Sequence, residues 1–198
     1  MMTNDEALSI FKDSGALLEG HFILASGYHS ATYLEKFQVL QYPHLVEKLC
    51  AEIARRFAGD NVAVVLGPTT GGMLLAYDVA RHLGTRGIFA ERNDEGIGRV
   101  LRRGFRLSKG ERVLVVDDIL TTGGSIKDTL KIVSDCEADL VGVGVLADRS
   151  GGKVNFGTRL EALLTLDVEK FAPHEVPAWL AAIPMTERGS SHNIKPGS

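Results

Sequence analysis

The feature that most constrains this chain is the stretch Val113-Leu-Val-Val-Asp117-Asp118-Ile119-Leu120-Thr121-Thr122-Gly123-Gly124-Ser125. An apolar, β-branched run ends on two adjacent carboxylates, then passes through small residues into a segment with Ile126, Leu130 and Val133 at helical spacing. Such a run reads as a buried parallel strand, and the segment after it as a helix that covers the sheet. In an open α/β sheet, ligands bind beyond the carboxyl ends of the strands, where this turn falls. Thr121 to Ser125 can present N–H groups and hydroxyls at a helix N-terminus, which suits a phosphate. Glycines 123 and 124 permit close approach and unusual dihedrals, because no Cβ stands in the way.

Two carboxylates beside a phosphate cradle repel a naked polyanion. They make sense if the ligand also brings hydroxyls for them to accept, or a divalent metal between the charges. A sugar phosphate with a cis-diol meets both demands. An ordinary strand-to-helix turn with an acidic N-cap is the plainer reading of the same residues. A Walker A loop is excluded, since no Gly-Lys-Ser/Thr follows the glycines.

The rest of the chain alternates in the same style. An amphipathic helix is expected over 4–14, with Leu8, Ile10 and Phe11 on its apolar side. Short strands follow around a turn at Ser26-Gly27, outside the alternating pattern and placed to cap the main sheet. A helix over 43–57 carries the stripe Leu45, Val46, Leu49, Ile53 and Phe57. Strands are expected at 62–66, 87–91, 112–117, 140–147 and 161–166, helices from the turn at 67–72 to about 83, at 123–136 and at 177–182. Arg99 to Arg106 reads as a small hairpin turning near Arg103-Gly104. The alternation demands an open, Rossmann-like parallel sheet with right-handed crossovers, flanked by helices. The expected division is an N-terminal hood (1–40), an α/β core (41–183) and a polar C-terminal tail (184–198), its stretch from Thr186 to Ser198 expected to be disordered.

With 198 residues, this is one domain of generous size. A net charge of −3 gives no general attraction for nucleic acid or an anionic membrane. No apolar run reaches the length of a membrane span, and the acidic start lacks a signal peptide's regions, so a cytoplasmic protein is expected. Cys50 and Cys136 lack metal-ligand spacing and read as buried free thiols. His21 and His29 read as structural histidines. Tyr28 and Tyr33 suit either core packing or the wall of a base pocket.

The acidic pair and the loop after it resemble the 5-phosphoribosyl-1-pyrophosphate (PRPP) motif of type I phosphoribosyltransferases. Further stretches are similar, in order, to the orotate phosphoribosyltransferases: Gly15 to Gly27 to their hood, Gly67-Pro68 with Gly71-Gly72 to their pyrophosphate loop, then Arg102-Arg103-Gly104-Phe105, and Ala147-Asp148-Arg149 before glycines. The similarity covers roughly residues 8–170. It implies transfer of a phosphoribosyl group from PRPP to orotate, giving orotidine 5′-monophosphate and pyrophosphate, with Mg²⁺ held mainly through PRPP and a homodimer as the working form. Residue by residue, it implies that Asp117 and Asp118 hold ribose hydroxyls and that Ile119 to Ser125 line the PRPP site, with Thr121–Ser125 on the 5′-phosphate. Thr121 would also lie beside orotate, and Arg149 would pair with the orotate carboxylate, a task suited to arginine's planar fork.

The chain departs from the best-known members in its cations. Their mobile loop carries lysines and a histidine, where this chain has Glu91, Arg92, Asn93, Asp94 and Glu95. Their pyrophosphate-loop lysine falls near Thr70-Gly71, and their hood lysine falls at Ala25. These replacements resemble a short-loop bacterial subgroup. Arg92 is the candidate catalytic cation, with Arg99, Arg102 and Arg103 in reserve, and residues 92–99 are the candidate mobile loop. Two other functions compete: a phosphoribosyltransferase for a purine base, disfavoured by Arg149, and a nucleotide-sensing RNA-binding regulator, disfavoured by the acidic charge.

Overall fold

Apolar alternation within the central strands decides what covers each face of the main sheet. In the computed structural model, which describes residues 1–24 and 26–187, the chain opens with α1 (Asn4–Asp13). A capping box starts it: the Glu6 N–H donates to Thr3 Oγ1 at 3.2 Å, and the Thr3 N–H to Glu6 Oε2 at 2.7 Å. The hood hairpin follows as β1 (Leu17–Ile23) and β2 (His29–Leu34), then α2 (Lys36–Leu40) and α3 (Pro43–Phe57). The core continues with β3 (Val64–Pro68), α4 (Gly71–Leu83), β4 (Arg86–Arg92), β5 (Arg99–Leu101), β6 (Arg112–Leu120) and α5 (Gly124–Asp135). It closes with β7 (Asp139–Asp148), β8 (Leu160–Thr165), α6 (Ala178–Ala181) and β9 (Met185–Glu187).

The main sheet has the order β5-β4-β3-β6-β7-β8, parallel except for β5 against β4. Side chains on a strand alternate between faces, so β6 sends Leu114 and Val116 to one side and Val113 and Val115 to the other. The first set joins a core built with α1, α3 and α4, including Phe11, Leu49, Ile53, Phe57 and Leu75. The second packs with Ile126, Ile132 and Val133 of α5. Full burial of each large apolar side chain contributes about 1.5–3 kcal/mol, so α3 is held chiefly by its stripe.

The chain runs outward from β3 to β4 and then returns to place β6 on the other side of β3. That reversal is a topological switch point, where open α/β sheets place their ligand crevice, here beyond the carboxyl ends of β3 and β6. The loops 67–72 and 117–125 flank it.

One expectation is corrected. Arg99 to Arg106 is not a hairpin in itself: β5 is its only strand and pairs with β4, Ala90 facing Leu101 and Arg92 facing Arg99. The turn at Arg103-Gly104 exists, with φ of 56° and 78°, but closes no ladder. Local turn chemistry was legible there, and the strand partner is set by tertiary pairing.

The hood is a small sheet of order β2-β1-β9. Met185–Glu187, at the head of the expected tail, forms β9 and runs parallel to β1. The rest of the tail lies outside the described residues, as does Ala25. His21 and His29 meet at 2.6 Å, Nε2 to Nδ1, and His21 Nδ1 lies 3.2 Å from the Ile183 carbonyl. Both histidines thus have structural partners. Cys50 is buried and Cys136 half-buried, both free thiols. Among the described residues, no helix is long and apolar enough to cross a membrane.

Candidate active site

Strand β6 carries its two carboxylates to the crevice and buries them. Asp117 is 5% exposed and Asp118 is 3% exposed. Asp117 Oδ2 accepts from Ser125 Oγ at 2.6 Å, and its Oδ1 from the Asp118 N–H at 2.9 Å. Asp118 Oδ1 accepts from the Ile119 N–H at 2.6 Å, while its Oδ2 lies 2.8 Å from Lys36 Nζ at the start of α2. Burial pushes the Asp117 carboxyl above the usual carboxylate range, and the charge of Asp118 adds to this; Ser125, the Asp118 N–H and Lys36 pull the other way. Neutralising that pair is therefore what this crevice asks of a ligand or a neighbouring cation.

The loop after the pair turns into α5 through Gly123, which is left-handed at φ 79°. A residue with a Cβ resists that conformation, so glycine is required at this corner. Gly123 has no side chain to cap the helix, so no side-chain hydrogen bond caps the N-terminus of α5. The first-turn N–H groups have no intrahelical partners, which makes the start of α5 a place where an anion can be held. Thr121, Thr122 and Gly124 are exposed, and Ser125 is partly buried. Ile119 is half-buried, whereas the Leu120 side chain sits in the core at 1% exposure. Leu120 can therefore serve a ligand only through its backbone, and its carbonyl already accepts from the Arg149 N–H at 2.8 Å.

That bond fixes Arg149 beside Thr121, just past the end of β7. The guanidinium is buried at 9% exposure, lies over the Tyr33 ring at 6.0 Å, and has an Nε with no hydrogen-bond partner. Burial lowers its pKa from the ordinary arginine value. No ion pair to Arg149 occurs among the described residues. A buried cation of this kind is costly unless something anionic completes it.

Across the crevice, the loop 67–72 leaves β3 through a cis Thr69–Thr70 peptide and enters α4. A Cβ added at Gly71 would lie 1.7 Å from Asp118 Oδ2, so the loop and the acidic pair touch directly. Arg99 braces this loop, donating to Thr69 Oγ1, the Thr69 carbonyl and the Ala90 carbonyl, each at 3.2 Å. Arg102 is paired with Asp94 at 2.7 Å and Arg103 with Glu91 at 2.8 Å, on the exposed side of the hairpin. Arg92 is exposed at the end of β4, opposite Arg99, and makes no ion pair among the described residues. The structure thus brings together Asp117, Asp118, Thr121 to Ser125 and Arg149, with Arg92 further out. Lys36 was missed: a lysine after Glu35 reads in sequence as ordinary surface, and nothing local announces its ion pair.

An acidic pair at a switch point, an uncapped glycine turn after it and a second glycine loop opposite thus lie together in one part of the fold. The family model "Phosphoribosyl transferase domain" matches residues 38–156, which span the crevice. The orotate phosphoribosyltransferase of Caldicellulosiruptor bescii is 49% identical over 96% of this chain and 98% of its own length. That of Pelotomaculum thermopropionicum is 50% identical over the same shares. The crystal structure of the Aeropyrum pernix orotate phosphoribosyltransferase superposes with a TM-score of 0.62 at 26% identity, covering 80% of this chain and 93% of that one. The chain belongs to the orotate phosphoribosyltransferase family.

Proposed function

We propose that this protein transfers the 5-phosphoribosyl group of PRPP to orotate in de novo pyrimidine (UMP) biosynthesis, releasing orotidine 5′-monophosphate and pyrophosphate. The observation that carries the substrate assignment is Arg149: a buried guanidinium with an unpartnered Nε beside the glycine loop. An orotate carboxylate supplies the missing anion, and a neutral purine does not. The aromatic face of Tyr33 forms one wall of that position.

Asp117 and Asp118 accept hydrogen bonds from the ribose hydroxyls, and Thr121 to Ser125 hold the 5′-phosphate at the start of α5. In the transfer, the C1–O bond breaks with its electron pair left on the diphosphate. A pair from the orotate ring nitrogen forms the new C1–N bond, and the ring N–H proton passes to the released diphosphate or to solvent. Positive charge grows at C1 as the bond breaks, and two buried carboxylates in a low-dielectric crevice stabilise it more strongly than water does. Positioning supplies much of the rest, since both reactants are held at one strand edge. Arg92 faces the leaving group from the β4 side, and closure of residues 92–99 excludes water.

Mg²⁺ enters with the donor. The acidic pair has Ser125 and Lys36 as partners in the free protein. These residues fit a cation coordinated chiefly by donor oxygens and water, which offsets charge on the departing diphosphate.

The protein works in the cytoplasm as a homodimer. In support, a groove of about 430 Å³ beside α3 and α4 is lined by Leu40, Pro43, Val46, Leu74 and Tyr77 together with His44, Glu47, Asp78 and Arg81, with Leu74 40% and Tyr77 74% exposed. Apolar exposure of this sort marks an association surface. The function is tested by supplying PRPP and Mg²⁺ with orotate, uracil, hypoxanthine and adenine in parallel and following pyrophosphate release. Turnover is expected with orotate alone; turnover of a purine and none of orotate rejects the assignment.

A further inference from the structure

The loop 67–72 reads Gly-Pro-Thr-Thr-Gly-Gly and carries no charged side chain, yet it faces the place where a diphosphate must separate. Hydroxyls and N–H groups alone poorly offset a multiply charged leaving group. Three of the arginines nearby are committed, Arg102 to Asp94, Arg103 to Glu91, and Arg99 to Thr69 and Ala90, which leaves Arg92 at the end of β4. Lys36 is not on the loop, but its ammonium reaches the loop's edge. Its Nζ lies 2.8 Å from Asp118 Oδ2, the same oxygen that a Cβ on Gly71 would overlap. Ammonium, carboxylate and the first residue of α4 therefore meet at one point. The Lys36 side chain is 35% exposed while that of Asp118 is 4% exposed, so an incoming anion can reach the cation.

We propose that Lys36 supplies the cation this loop lacks, resting on Asp118 in the free protein and passing to the diphosphate when ribose hydroxyls take its place on the carboxylate. The exchange leaves both groups with polar partners. Asp118 gives up an ammonium and gains neutral hydroxyl donors, and Lys36 trades a carboxylate for phosphate oxygens. Its attraction strengthens as the C1–O bond breaks and charge collects on the leaving group, which is the condition for lowering the barrier rather than only tightening binding. Lys36 on this account is a catalytic residue contributed by the hood. The inference rests on PRPP being the donor.

The competing role for Lys36 is merely to hold Asp118 in place, and ligand choice separates the two. Ribose 5-phosphate fills the ribose and 5′-phosphate positions but has no diphosphate. Calorimetric titration of the full chain with PRPP, pyrophosphate and ribose 5-phosphate, each with Mg²⁺, is run for wild type, Lys36→Met, Lys36→Gln and Lys36→Arg. Loss of a charge-assisted contact should weaken PRPP and pyrophosphate about 10- to 100-fold in the Met and Gln variants, with ribose 5-phosphate changed by less than about threefold. Retained ribose 5-phosphate binding shows that a variant is folded, and two neutral variants guard against failure of one. Lys36→Arg should recover most of the affinity, and turnover should fall in parallel with pyrophosphate binding. Equal weakening of ribose 5-phosphate and PRPP, or unchanged pyrophosphate binding, overturns the proposal. If wild-type protein binds no PRPP, the donor assignment fails instead.

Discussion

Ser125 Oγ donates to Asp117 Oδ2 at 2.6 Å, tying the end of β6 to the first turn of α5. That bond favours the ionised carboxylate, against burial and the charge of Asp118, which together hold the Asp117 pKa up at about 6. The proposed mechanism needs Asp117 ionised, so kcat/KM for PRPP should fall as pH drops through this range. Ser125→Ala removes one of the groups that lower the pKa. The acid limb should therefore move to higher pH, by up to about one unit, with about twofold lower kcat/KM at neutral pH from the ionisation change alone. A pH–rate profile checks both; an acid limb that stays in place contradicts the role given to this bond.

Arg149 makes a sharper prediction, because it is buried and has no acidic partner among the described residues. Arg149→Ala should raise the KM for orotate about 100-fold, as a two-pronged charged contact is lost, and change that for PRPP by less than about threefold. Arg149→Lys keeps the charge without the fork and should fall between. Initial rates with each substrate varied in turn decide it, and equal loss for both substrates contradicts the assignment.

How far these parts were legible in the sequence follows the range of the interactions that make them. The strand of Asp117 and the helix after it are written in local periodicity, and both appear where expected. Helix 43–57 is found without shift, because a proline start and an apolar stripe are local signals. Strand β3 runs Val64–Pro68 rather than 62–66, since ladder partners on β4 and β6 set its ends. Pairing also overruled the apparent hairpin at Arg99 to Arg106, where β5 joins β4. In the candidate site, Arg149 and the acidic pair stand out in motif order, whereas the Lys36–Asp118 ion pair does not, because Asp118 lies on a strand remote in sequence. The reason for glycine at position 71 was equally hidden, being a contact with that same carboxylate.

Gly71 supplies a test of how closely the two sides of the crevice are coupled. Its backbone is not in the left-handed region, so glycine is required there by space alone. In Gly71→Ala the new Cβ would lie 1.7 Å from Asp118 Oδ2, so the carboxylate must move and take its ion pair with Lys36 along. Overpacking of this type costs about 1–3 kcal/mol of stability. Turnover should suffer more than stability, falling at least about 100-fold, because a displacement near 1 Å at reacting groups has that effect. Thermal unfolding beside steady-state kinetics checks the pair of outcomes, and near-normal turnover would show that Asp118 has more freedom than its contacts imply.

The acid stability of the fold should depend on Glu52, far from the crevice. Glu52 is 7% exposed and accepts from Arg55 Nε at 2.8 Å and from Arg56 Nε at 3.0 Å. Arg56 continues to Glu161 at 3.1 Å and to the Met2 carbonyl at 3.2 Å, so the carboxylate anchors α3 to β8 and to the N-terminus. The Arg55 hydrogen bond, with that of Arg56, outweighs burial and lowers the Glu52 pKa to about 2. A carboxyl whose pKa is lower in the folded protein adds stability above its unfolded value and loses it as pH falls through the folded value. Allowing for solvent screening at the exposed Arg55, the contribution at neutral pH is on the order of 2 kcal/mol. Glu52→Gln should therefore lower the unfolding temperature by roughly 4–8 °C at pH 7. The gap from wild type should narrow between about pH 4 and pH 2, as wild type itself becomes protonated. Calorimetric melts across that range test the argument; a gap that stays constant down to pH 2 would mean that packing, and not the charge on Glu52, holds this corner together.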